Sequence, residues 1–201
     1  MNFSNNRSLG LTFIRFQEYY EGPSHKGTVF TLKEYTDWYK KHRGKGKFTY
    51  CSEYTGYNLP DYAFNPFLEG KFNPLSKSEK TLLNAVKPLE KPFCIIGINP
   101  TGKYALTALH HELAHGLWYT NKEYRIAMTK LVKMIPKHIL TLIQQELKQG
   151  GYHKDVYDDE TQAYLTNDIG FFPDVSYPLV IKFRNTYKKY YDNLLITKKS
   201  I

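Results

Sequence analysis

The chain has 201 residues, 41% of them hydrophobic and 23% charged, the balance of a soluble globular protein long enough to bury a core without disulfides. Two cysteines, Cys51 and Cys94, exclude a disulfide framework and fit a reducing compartment. No apolar run reaches the ~18 residues of a spanning helix, and the start MNFSNNRSLG lacks an apolar signal-peptide core, so no membrane partner and a cytoplasmic location are expected.

The formal net charge is +9, spread along the chain: 14 Lys/Arg against 9 Asp/Glu in residues 1–100, and 14 against 10 in 101–201. Such a balance permits nucleic-acid binding without demanding it. The densest run, Lys40, Lys41, His42, Arg43, Lys45 and Lys47 around Gly44 and Gly46, reads first as a solvated loop and only second as a phosphate-contacting one.

In chain order, LTFIRFQEYY at 11–20 fits a helix or a short strand, because its periodicity does not decide. Thr31 and Glu34 form a capping box for a helix to about His42, with Leu32, Tyr35, Trp38 and Tyr39 as its apolar stripe. KFTYC at 47–51 reads as a strand, and the Gly-, Pro-, Asn- and aromatic-rich stretch 54–74 as an ordered loop. Ser76 and Glu79 form a second capping box, for a helix to about Val86. PFCIIGI at 92–98 is the strongest strand signal.

From there the pattern turns helical. One helix is expected from about Lys103 to Tyr119 and another from Lys122 to before Pro136. A third has Pro136 in its first turn and Gly150-Gly151 at its end. A short helix over 156–166 follows. The last, over 178–196, turns Val180, Phe183, Tyr187, Tyr190, Tyr191 and Leu194 to one side. The expected fold class is α+β: a small mixed sheet and a mostly helical C-terminal half, in a single domain over 1–201.

The chemistry concentrates in ALHHELAHGLWY at 108–119, which holds His111-Glu112-Leu113-Ala114-His115, an H-E-x-x-H pattern on a predicted helix. Four residues of separation put the two imidazoles on one face, one turn apart, where both can grip one Zn²⁺. Glu112, beside the first imidazole, can reach a water held at the metal and act as general base. Random order would produce the pattern in about one chain of this composition in a hundred. Leu106, Leu109, Leu113, Leu117 and Trp118 are available to bury the rest of the helix. His110 points about 100° away from His111 and is not read as a ligand.

A catalytic zinc needs a third protein ligand. The long metzincin pattern is excluded, because Trp118 and Asn121 stand where its Gly and third His belong. The leading candidate is Glu160 in YDDETQAYL at 157–165, with the small Ala163 three residues on; Asp158, Asp159, His153 and Glu146 are the alternatives.

The region 104–166 resembles the gluzincin class of zinc metallopeptidases in a minimal form. The resemblance implies His111, His115 and Glu160 as zinc ligands, Glu112 as general base and a polypeptide substrate. It also implies an edge strand just before the active-site helix, a place 92–98 occupies and where an extended peptide could pair. The chain departs from the pattern at Tyr164, where gluzincins often carry an Asp that orients a ligand His. Tyr164 is a candidate for that outer role. His153 and Tyr157, with Tyr152, Tyr177 and Tyr187, are candidates for stabilising an oxyanion. The division that follows is a substrate or wall region at 1–90 and a zincin-like catalytic region at 91–201. The alternative reading is a non-catalytic, zinc-stabilised binding module whose basic surface takes an acidic protein or nucleic acid.

Overall fold

The structure is a computed structural model and describes residue 3 and residues 5–54, 56–102, 104–167 and 172–197. The fold is α+β and mostly helical with one small sheet. The chain divides into two compact units, 1–109 and 110–201. No helix among the described residues is long and apolar enough to cross a membrane.

The first unit begins with α1 (Asn6–Tyr20), which settles the ambiguous stretch as helix. Asn5 caps it by accepting from the Ser8 amide at 2.9 Å, and Leu9, Phe13 and Phe16 fall on its buried face at helical spacing. In α2 (Leu32–His42) both capping-box bonds form, Glu34 N–H to Thr31 Oγ1 at 3.2 Å and Thr31 N–H to Glu34 Oε2 at 2.7 Å. Tyr35 and Tyr39 are buried, while Leu32 and Trp38 pack half-buried beside them.

The expected strand at 47–51 does not form. Tyr50–Glu53 makes a single helical turn, α3, that buries Tyr50 completely. The strand lies further on, β1 (Gly56–Pro60), inside the segment read as loop. Its residues from Tyr57 to Pro60 are all buried, so no inside–outside alternation marks it, and Asn58 and Pro60 lower its β-propensity. A 3₁₀ turn (Asp61–Phe64) and α4 (Asn65–Leu68) follow. In α5 (Lys77–Val86) the Ser76–Glu79 box closes as expected.

β2 (Cys94–Ile98) pairs antiparallel with β1, Gly56 opposite Ile98 and Pro60 opposite Cys94. The sheet has two strands among the described residues, without the parallel pair a mixed sheet would add, so β2 is an edge strand. Gly97 is required there, because a Cβ would stand 2.7 Å from the Phe13 ring. The core explains the many aromatics: Phe67 stacks on Phe16 and on Phe72, each at 3.9 Å between centroids.

The motif helix is α6 (Ala105–Thr120), whose residues from His110 onward belong to the second unit; Lys103, its expected start, lies outside the described residues. Ala114, Gly116 and Leu117 are buried, and Leu113 and Trp118 partly so. Leu106, expected to help bury the helix, is 68% exposed on its first turn. Then come α7 (Lys122–Val132) and α8 (Lys137–Gln149), whose N-cap is Pro136 rather than a first-turn proline. Gly151, at φ 90°, lets the chain leave α8 in the left-handed region. A 3₁₀ turn (Lys154–Val156), α9 (Tyr157–Asn167) and α10 (Tyr177–Thr197) complete it. Met128, Leu147, Ala163, Leu165, Val180 and Phe183 share one buried cluster with Ala114 and Leu117.

Candidate metal centre

All atoms of the centre belong to the second unit. Helix α6 presents His111 and His115 one turn apart, with their Nε2 atoms 3.1 Å from each other. Helix α9 brings Glu160 opposite them: Oε2 lies 3.7 Å from His111 Nε2 and Oε1 lies 3.6 Å from His115 Nε2. These three residues form the group among the described residues able to hold a metal ion. Donors about 2.0–2.1 Å from a tetrahedral Zn²⁺ stand about 3.3 Å apart, so the observed separations fit the ion. The donor set, two imidazoles and one carboxylate on mostly buried side chains, also fits zinc chemistry.

Asp159 fixes how His115 is presented. Its Oδ1 lies 2.8 Å from His115 Nδ1, so that nitrogen donates to the carboxylate and Nε2 is turned toward His111 and Glu160. Sequence reasoning held Asp159 as an alternative ligand and looked to Tyr164 for the outer position. Tyr164 instead sets its ring against His111, centroids 4.7 Å apart, and shares a hydroxyl hydrogen bond of 3.0 Å with Tyr152. Behind Asp159 stand two residues that sequence reasoning missed. Gln162 Nε2 donates to Asp159 Oδ1 at 2.9 Å, and the Tyr124 hydroxyl donates to Gln162 Oε1 at 2.6 Å. The only trace of them in the sequence is that Gln162 lies three residues beyond Asp159, on the same helix face.

The local field favours a cation. Burial opposes a charged His115, but the Asp159 and Glu160 carboxylates, the Asp159 hydrogen bond and Glu112 outweigh it and hold the pKa well above the ordinary histidine range. The same negative groups that attract a proton there attract a divalent ion. Burial, reinforced by His115, pushes His111 well below that range, which keeps its imidazole neutral. Burial raises the Glu112 carboxyl to about 7, with His115 opposing the rise and Asp159 adding to it.

The other candidates stand apart from this group. His153 caps the 3₁₀ turn before α9, half-exposed, with Nδ1 3.2 Å from Asp155. Glu146 is exposed on α8. Asp158, in the first turn of α9, is not one of the three converging residues. Tyr157 packs half-buried on the helical core, and Tyr177 is 65% exposed. Tyr187 bonds His110 Nδ1 at 2.8 Å, so His110 faces α10 rather than the centre. Cys51 and Cys94 belong to the first unit and are not joined in a disulfide. No protein-family model, no curated protein and no solved structure matches the chain.

Proposed function

We propose that the chain is a zinc-dependent metallopeptidase that hydrolyses peptide bonds, with His111, His115 and Glu160 as ligands and Glu112 as general base. The observation that carries this reading is the convergence of donor atoms from His111, His115 and Glu160, the last 45 positions beyond His115 and on another helix, at separations suited to one zinc ion. Bound there, zinc would supply a Lewis acid that makes water nucleophilic near neutral pH. Glu112 follows His111 directly, and its largely desolvated carboxylate is suited to take the proton from the attacking water and return it to the leaving amine. Asp159 holds His115 in the tautomer that can ligate.

Purified chain is expected to carry about one zinc per molecule and to cleave an unfolded polypeptide, and Glu112→Gln is expected to keep the metal and lose at least ~100-fold in rate. A chain without zinc, or a Glu112→Gln variant that cleaves at the wild-type rate, would sink the reading. The competing module reading draws on the exposed Lys40, Lys41, Lys45 and Lys47 of the first unit. It predicts salt-sensitive nucleic-acid binding and no cleavage.

A further inference from the structure

Beyond the ligands, the second unit contains an unbroken polar chain, His115–Asp159–Gln162–Tyr124, three of whose members sit in or next to its core. Gln162 and Tyr124 are both 0% exposed. A buried carboxamide and a buried phenol each cost stability unless bonded, so a core position would ordinarily carry an apolar residue of similar size. Here the bonds run in one direction only. A carboxylate accepts, so Gln162 must turn its NH₂ to Asp159. That leaves its carbonyl for Tyr124, whose hydroxyl must donate. The Asp159 oxygen that accepts from Gln162 is the same one that faces His115 Nδ1.

Tyr124 is itself fixed relative to the ligand helix. Asn121 accepts from the Tyr124 amide at 2.9 Å while its own N–H reaches Leu117 O at 2.9 Å. One residue further, Arg125 Nη1 donates to the carbonyls of Trp118 and Tyr119 at 2.9 and 3.3 Å. The corner between α6 and α7 is thereby tied at both ends. A rigid corner that carries a polar anchor back to a ligand's rear nitrogen is a device for holding an imidazole, and apolar packing alone would not need it.

We propose that Gln162 and Tyr124 are positioning residues for the metal centre: anchored by the α6–α7 corner, they orient Asp159 so that His115 keeps its proton on Nδ1 and its lone pair toward the ion. This rests on the zinc reading of the centre. The test uses the full chain, Zn²⁺ in competition with a chromophoric chelator, and Co²⁺ as a spectroscopic probe. Gln162→Met keeps the volume and removes both bonds; it is expected to weaken Zn²⁺ binding ~10-fold or more. Tyr124→Phe removes one hydroxyl and is expected to weaken it about fivefold, the net worth of one buried hydrogen bond.

Because Tyr124 acts only through Gln162, the double variant should bind like Gln162→Met alone. In both single variants the Co²⁺ ligand-field bands should shift. The His115 Nδ1 proton of the zinc-loaded chain should also change from a slowly exchanging NMR signal to a fast-exchanging one. A purely structural role would move the melting temperature and leave bands and proton in place. Folded variants with wild-type affinity and spectra, or effects that simply add in the double variant, overturn the positioning chain alone. A wild-type chain that binds no zinc overturns the zinc reading and this inference together.

Discussion

Asp159 and His115 meet at 2.8 Å across 44 positions of sequence, and the residue directly after Asp159 faces the other nitrogen of the same ring. Two neighbours at the start of α9 therefore serve the two ends of one imidazole, one from behind and one from the front. Asp159→Ala should leave the fold and the three front atoms in place and weaken Zn²⁺ about 10–100-fold, the usual cost of losing such a partner. The check is chelator competition alongside circular dichroism. An unchanged affinity would mean that His115 needs no partner.

The first unit has its own buried charge pair. Arg15 donates through Nε and Nη2 to both oxygens of Glu79, each at 2.7 Å, and through Nη1 to Phe72 O at 3.0 Å. Burial would raise the Glu79 pKa, but the Arg15 hydrogen bond, the Ser76 amide and the Arg15 charge outweigh it and bring it below the usual carboxylate value. A depressed folded value means that stability is present above the unfolded pKa near 4.5 and is lost as pH falls through the lower folded value. Glu79→Gln strands a buried guanidinium and should cost about 3–5 kcal/mol at pH 7. Thermal unfolding from pH 7 to 3 should show the wild type losing stability in acid and the variant, already destabilised, losing less.

What the sequence made legible was local. Both capping boxes were readable because their bonds span three residues, and α6 because its two imidazoles mark one face. Glu160 was readable as an acidic residue opening a helix near the small Ala163. β1 was not, because covering Tyr57 to Pro60 on both faces removes the alternation that marks a strand. The partner of His115 was misplaced for a different reason. Counting one turn onward from Glu160 leads to Tyr164, whereas the ring's two nitrogens point apart and let the preceding residue serve. Tyr124 and Gln162 lie 38 positions apart, and no local spacing rule joins them.

Glu18 shows the opposite sign. It is 6% exposed in α1, next to the phenols of Tyr35 from α2, Tyr50 from α3 and Tyr54, with the Arg43 charge near. Burial raises its pKa, and the nearby Tyr35 and Tyr50 phenols and the Arg43 charge only partly offset the rise. A carboxyl whose folded value lies above the unfolded one is an increasing liability as pH rises, because folding holds a proton that the unfolded chain has released. Glu18→Gln should therefore raise the melting temperature at pH 7 and above, by about 4–8 °C per kcal/mol gained in a unit of this size, and change little at pH 4. Equal gains at both pH values would show that charge is not the cause.

The last prediction separates ligand from partner. Glu160 contributes an oxygen to each imidazole nitrogen at 3.6–3.7 Å, whereas Asp159 contacts only the rear nitrogen of His115. If Glu160 completes the centre, Glu160→Ala loses one of three ligands and should reduce Zn²⁺ affinity far beyond the ~100-fold limit of an outer partner. The same difference should appear in thermal stability. Zinc at 100 times its dissociation constant adds about 2.7 kcal/mol to any unit that binds it only when folded. Wild type should thus show a clear rise in unfolding temperature with Zn²⁺ and a loss on chelation. Asp159→Ala should need more metal for the same rise, and Glu160→Ala should show none at the concentration that saturates wild type. If the two variants trade places, Asp159 is the ligand and Glu160 the partner. The α9 helix would then have to turn by about one residue, 100°, from the arrangement seen here.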